Sequence, residues 1–193
     1  HNASTCALSD NYDVKYYRCC WNTNPAINLV SGNITTYFKP QLVLDSIQMD
    51  ASISLSIDSV LYHNSKIIFS QLTGDVLQIN FPVSVRSLDS VTVFYHGIPP
   101  SSGFGSFTQS SHGPNQDPII WTLSEPYGAR DWWPCKMTLN DKADSIDTYI
   151  TIPTGNKAAS NGLLNEIISQ GANYTYHWKH RHPIAAYLIA QAV

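Results

Sequence analysis

The chain has 193 residues, with 11 Lys and Arg against 14 Asp and Glu and a formal net charge of −3. That length can bury a core without cross-links, the lack of a basic run leaves no electrostatic footprint for nucleic acid, and no apolar stretch approaches the roughly 20 residues that span a bilayer. Charged residues make up only 13% of the chain, against roughly 25% in most soluble domains, and Ser, Thr, Asn and Tyr supply the polar surface. Together with a start that has neither a basic nor an apolar leader region, this composition predicts an exported β protein whose signal peptide has been removed, placed outside the cell, at its surface or in the periplasm.

Strand candidates follow one another along the chain. Tyr12 to Trp21 and Asn28 to Phe38 come first, and Ser52 to Ile57 alternates strictly between Ser and apolar residues. Val76 to Phe81, Val91 to Tyr95 and Ile119 to Leu123 follow, then Ile146 to Ile152, whose even-numbered positions share one apolar or Thr-bearing face, and Tyr174 to Trp178. Turn chemistry recurs at Asn24-Pro25, Ser31-Gly32-Asn33, Thr73-Gly74-Asp75, Gly97 to Pro100 and Pro153 to Asn156, a spacing that suits antiparallel pairing. Pro99 to Asp117 reads as one long irregular loop, and the apolar run Ile184 to Ala190 as a buried strand. No long helical stripe competes. The expected fold is all-β, a multi-sheet antiparallel sandwich or saddle with only short helical turns, forming one domain over residues 1–193.

The four cysteines, Cys6, Cys19, Cys20 and Cys135, lack the paired spacing of a structural zinc site. Cys19 and Cys20 point to opposite faces of an extended segment, so a disulfide from either to Cys6 or Cys135 stays open. The run His177-Trp178-Lys179-His180-Arg181-His182 invites a metal reading, but a strand sends His177 to one face and His180 and His182 to the other, with Lys179 and Arg181 adding positive charge. It reads as an exposed polar strand edge. None of the seven histidines precedes a Glu, so the H-E-x-x-H of zinc peptidases is absent, as is a G-x-S-x-G elbow. Gly103-Phe104-Gly105 is read as a flexible turn, and Asn2, Asn33 and Asn173 open N-x-S/T sequons.

The densest segment is TLSEPYGARDWWPC, residues 122–135. Its plain reading is core: Trp132 and Trp133 as anchors, Arg130 paired with Asp131 or Glu125, and Cys135 a buried thiol or half-cystine. The same segment resembles the aminopeptidase N family of gluzincin zinc peptidases, whose pattern T-Q-x-E-A-x-x-A-R-x-x-F-P-C is met by Thr122, Glu125, Ala129, Arg130, Pro134 and Cys135, with Trp133 at the Phe position. Flanking segments agree in order: Leu29 to Thr35, Tyr95-His96-Gly97, Asn140 to Asp144, Pro153 with Ser160-Asn161-Gly162, and Pro183 to Ala190.

The resemblance implies a non-catalytic N-terminal β domain that packs over a thermolysin-like domain lying after Val193. Zinc belongs to that partner domain, and no metal ligand is expected in this chain. It also implies that Glu125 binds the free α-amine at the peptide substrate's N-terminus, with Ser124, Tyr127 and Trp132 lining the entrance, and that the fragment alone is inactive. Two departures stand out, Leu123 for the usual Gln and Pro126 for the usual Ala, and Pro126 biases Glu125 towards extended backbone. The rival from another class is a free-standing binding module for carbohydrate or protein, with Trp132 and Trp133 as an exposed aromatic platform.

Overall fold

A computed structural model describes residues 9–100 and 105–193. Cys6, the Asn2 sequon and Gly103-Phe104 lie outside the described residues. Within them the strands are β1 (Tyr12–Asn22), β2 (Val30–Pro40), β3 (Leu44–Asp50), β4 (Leu55–Tyr62), β5 (Ser65–Lys66), β6 (Phe69–Leu72), β7 (Val76–Val85) and β8 (Asp89–Gly97). The second half adds β9 (Phe107–His112), β10 (Asp117–Thr122), β11 (Ser145–Pro153), β12 (Ala159–Ser160), β13 (Leu163–Gln170), β14 (Asn173–His180) and β15 (Gln191–Ala192). Helical structure among the described residues is confined to three single turns, none long enough to cross a membrane.

The strands form three sheets: an eight-stranded sheet in the order β13-β14-β11-β1-β2-β8-β4-β5, a four-stranded sheet β12-β15-β10-β9 and a three-stranded sheet β3-β7-β6. The all-β expectation holds, and the pairing is antiparallel with one exception. β1 and β11 run parallel, Tyr16 opposite Ser145 through Asn22 opposite Thr151. Two strands separated by most of the chain share no turn, so no local signal announces their relative direction.

Alternation places the core, and bulges reset it. In β1 the buried residues are Tyr12 and Val14, then Tyr17, Cys19 and Trp21, because the register shifts between Val14 and Tyr16 and turns the next side chains over. Gly32, expected in a turn, lies inside β2 instead. A Cβ there would stand 2.0 Å from the Cys20 carbonyl oxygen. Across the strands Gly32 sits between Trp21 and Tyr95, whose side chains bond over the gap, Trp21 Nε1 donating to Tyr95 Oη at 3.0 Å.

Several segments depart from expectation. The presumed loop Pro99 to Asp117 contains β9, paired with β10 from Phe107–Thr122 to His112–Asp117. Ser52 to Ser54 form a turn, with the strand beginning at Leu55. The run Ile184 to Ala190 is mostly a bridge from Ile184 to Ala143 and a helical turn, Ala186–Leu188. β3, β6 and β13 had no strand reading. β13 in particular is exposed at every residue, so the half-buried alternation that marks a strand is missing.

Candidate functional site

The Glu125 segment leaves β10 at Thr122, crosses a short loop and closes in the turn Ala129–Asp131. Its inward residues are pinned at several points. Leu123 N–H donates to the Ser106 carbonyl (3.2 Å), Gly128 N–H to the Ser124 carbonyl (2.8 Å), and Ser52 N–H to the Arg130 carbonyl (2.9 Å). Cys135 and Asp50 exchange both backbone hydrogen bonds, at 2.7 and 2.9 Å, which ties the end of the segment to β3.

Beneath the loop lies an aromatic cluster. Trp132 and Trp133 are both 0% exposed, with Trp132 set 4.8 Å from the Trp21 ring and 5.9 Å from Trp133, and Tyr17 edge-on to Trp133 at 5.1 Å. Such pairs add roughly 0.5–1.5 kcal/mol each beyond area burial. The Trp132 indole N–H donates to Ser124 Oγ at 2.9 Å, and its carbonyl accepts from Tyr95 Oη at 3.0 Å. Gly128 is needed at the closest approach: a Cβ on it would lie 2.1 Å from Ser106 Oγ, which itself donates to Asp131 at 2.7 Å. Burial raises the pKa of Asp50, next to this cluster, and that of the Cys135 thiol well above its usual value.

On the outer side Glu125 is exposed, Tyr127 is half-buried, and no donor or cation among the described residues pairs with the Glu125 carboxylate. The Glu125-Pro126 peptide bond is cis. Ser124 and Trp132 are buried and stand behind Glu125 as its support, so of the four residues singled out from sequence only Glu125 and Tyr127 reach the surface in this chain. Arg130 Nε lies 3.6 Å from the Asp75 carboxylate. Ser106, which anchors the loop twice, was hidden because it falls in the stretch read as irregular.

The aromatic platform of a binding module is lost with the burial of both Trp rings. The histidine run also differs from expectation. It is not an exposed edge, because β13 pairs outside β14. His177 is buried, Nε2 at 2.6 Å from Asp147 and Nδ1 at 3.1 Å from Glu166, so both ring nitrogens are occupied. His180 and His182 meet edge-on at 5.8 Å. Cys19 and Cys135 are buried free thiols, and Cys20 is a half-buried free thiol.

The chain matches the family described as the peptidase M1 N-terminal domain over residues 11–188. It belongs to that family. As an M1 N-terminal domain it shares its fold with an M1 zinc metallopeptidase from Deinococcus radiodurans, solved as a mutant bound to a Tyr-Ser-Ala substrate. The TM-score is 0.81 at 21% identity, covering 94% of this chain and 42% of that one. A two-domain M1 zinc metallopeptidase mutant bound to L-arginine gives 0.81 at 20% identity, with 94% and 42% covered. Leukotriene A4 hydrolase from Saccharomyces cerevisiae gives 0.79 at 18% identity over 100% of this chain and 30% of that one. At these identities the likeness establishes the fold, and the chain spans less than half the length of these relatives. A search of curated protein sequences finds no match.

No histidine precedes a Glu in the sequence, and the described residues hold no group of three or more His, Cys, Asp or Glu arranged to take a metal ion.

Proposed function

We propose that this chain is the non-catalytic N-terminal domain of an exported zinc-dependent aminopeptidase, in which it covers the active site of a zinc-bearing domain. Glu125 is its one contribution to substrate recognition, holding the peptide's free α-amine. The supporting observation is the contrast within one short loop: Ser124 and Trp132 behind Glu125 are buried and hydrogen-bonded to each other, while Glu125 itself is exposed with no partner for its carboxylate among the described residues.

A carboxylate on a rigid support suits a primary ammonium. It accepts short charge-assisted hydrogen bonds, and when a second domain covers it the same charge rejects a blocked N-terminus, which offers no compensating positive charge. Tyr127, half-buried beside it, lines the approach to the anchor. Ser124 and Trp132 act as positioning residues through the indole-to-hydroxyl bond. The domain by itself supplies no hydrolytic groups and is inactive.

The test is Glu125→Ala in the full-length protein, assayed on a free-amine peptide and on its N-acetylated counterpart. Loss of a charge-assisted hydrogen bond costs roughly 1.5–3 kcal/mol, so kcat/KM on the free-amine peptide should fall about 10- to 150-fold while the acetylated peptide is little affected. An unchanged ratio between the two substrates refutes the anchor.

A further inference from the structure

We infer that His177 and the bulge of β13 form a proton-operated switch at one edge of the eight-stranded sheet. Nδ1 of His177 donates to Glu166 when the ring is charged and accepts from Asn165 when it is neutral, which releases the Glu166 carboxylate to solvent. The switch does not depend on the role of Glu125.

β13 pairs with β14 from Leu163 opposite Lys179 to Gln170 opposite Asn173, but the register shifts between Leu164 and Glu166, so Asn165 is the extra residue of a bulge. A bulge sets two residues of one strand against one of its neighbour and re-aims a side chain. Here both side chains reach the same ring nitrogen. Glu166 Oε1 lies 3.1 Å and Asn165 Nδ2 3.3 Å from His177 Nδ1, and Asn165 Nδ2 also lies 3.4 Å from Glu166 Oε1. One nitrogen therefore faces an acceptor and a donor at once, and each protonation state satisfies only one of them.

The nitrogen that titrates is fixed from the other side of the ring. Nε2 lies 2.6 Å from Asp147 Oδ1, while Asp147 Oδ2 accepts from Tyr16 Oη at 3.0 Å and pairs with Arg181 at 2.8 Å. Burial works against the Asp147 carboxylate, but the hydrogen bonds from His177, Tyr16 and Arg181 hold its pKa below the usual range. Asp147 is thus ionised wherever a histidine titrates, and Nε2 keeps its proton to donate to it. The proton that leaves is the one on Nδ1. Against the ring face Tyr149 is stacked at 4.0 Å; burial and the Asp147 charge raise its phenol above the ordinary value, so it stays neutral in the same range. Arg18 lies over the Tyr149 ring at 5.3 Å, and Lys179 stands opposite Asp147 in the β11–β14 pair. The two carboxylates favour the charged ring, and the cations Arg18, Lys179 and Arg181 oppose it.

Histidine is the side chain suited to change charge between about pH 5 and 8. His177 is buried and cannot leave its place, whereas the Glu166 side chain is 51% exposed and can turn into water. Glu166 is also the one charged residue of β13, the strand at the end of the sheet, where Leu163, Ile167 and Ile168 are exposed. A charge on an edge strand hinders pairing with a further strand. With the ring protonated, that charge is neutralised in an ion pair. With the ring neutral, the edge carries a free carboxylate, so one proton sets the charge of the edge.

Exchange of the histidine C2 hydrogen for deuterium, followed against pH by mass spectrometry in the full-length protein, gives a titration midpoint for His177, which fragment ions separate from His180 and His182. Asn165 and Glu166 are both exposed, so substitutions there leave the fold in place. Glu166→Gln removes the charge that favours the imidazolium and should lower the midpoint. Asn165→Ala removes the donor that favours the neutral ring and should raise it, each shift being about half a pH unit or more. Opposite shifts are the result expected of partner exchange at Nδ1. A midpoint unmoved in either variant, or any pattern other than a fall in the first and a rise in the second, overturns the proposal, because a ring held for structure alone has no donor and acceptor competing for one nitrogen.

Discussion

The loop that carries Glu125 is held by side chains other than its own. Ser124 turns inward and gives its oxygen to the Trp132 indole, Gly128 leaves room for Ser106, and Ser106 in turn holds Asp131. Removing the Ser124 hydroxyl leaves a buried N–H without an acceptor, which costs about 1–3 kcal/mol. Ser124→Ala should therefore lower the unfolding free energy by that amount in denaturant titration and weaken free-amine recognition in parallel; no change in either would show that the bond positions nothing. Of this arrangement the sequence exposed the Glu125 position, the density of aromatics and the Cys135 thiol. It could not expose the Ser106 contacts or the pairing of Arg130 with Asp75, since these partners lie far apart in the chain and leave no spacing to read.

Among elements, the edge formed by β11, β14 and β13 is held by a polar cluster around Asp147. Its carboxylate accepts from Tyr16 Oη at 3.0 Å and Arg181 at 2.8 Å, and lies 2.6 Å from His177 Nε2, so that β1, β11 and β14 meet at one group. Burial raises the Asp147 pKa, but the hydrogen bonds from His177, Tyr16 and Arg181 outweigh it and hold the carboxyl below its usual range. A carboxyl depressed on folding stabilises the native state fully above its unfolded pKa of about 3.9, and that contribution is lost as pH falls through the folded value. Asp147→Asn should accordingly lose roughly 1–3 kcal/mol at pH 7 and give a flatter stability profile below about pH 4. Parallel wild-type and variant curves across that window would remove Asp147 from the acid response. The histidine run was legible as a strand, and its alternation correctly parted His177 from its neighbours. Its placement was not, because β13, exposed on both faces and shifted in register, gave no periodic signal that another strand lay outside it.

For the whole molecule, strands proved easier to read than sheets. Alternation marks a half-buried strand wherever it lies, so most of the eight-stranded sheet could be anticipated from β1, β2, β8, β11 and β14. Partner and direction are settled by contacts between segments far apart, and the parallel pairing of β1 with β11 is the clearest case. Family membership was legible for a different reason: the order of short motifs from Leu29 to Ala190 survives where overall identity to solved relatives is near 20%. What joins the scales is β10 and the loop after it, buried at Ile120 and Ser124 on the side of the Trp132 cluster and exposed at Trp121, Leu123 and Glu125 on the other. The most direct measurement is a crystal structure of the full-length protein with a bound peptide or amino acid. The account predicts the Glu125 carboxylate within about 3 Å of the ligand's α-ammonium nitrogen, at hydrogen-bonding distance. An α-amine held by other groups, with Glu125 facing solvent, would contradict it.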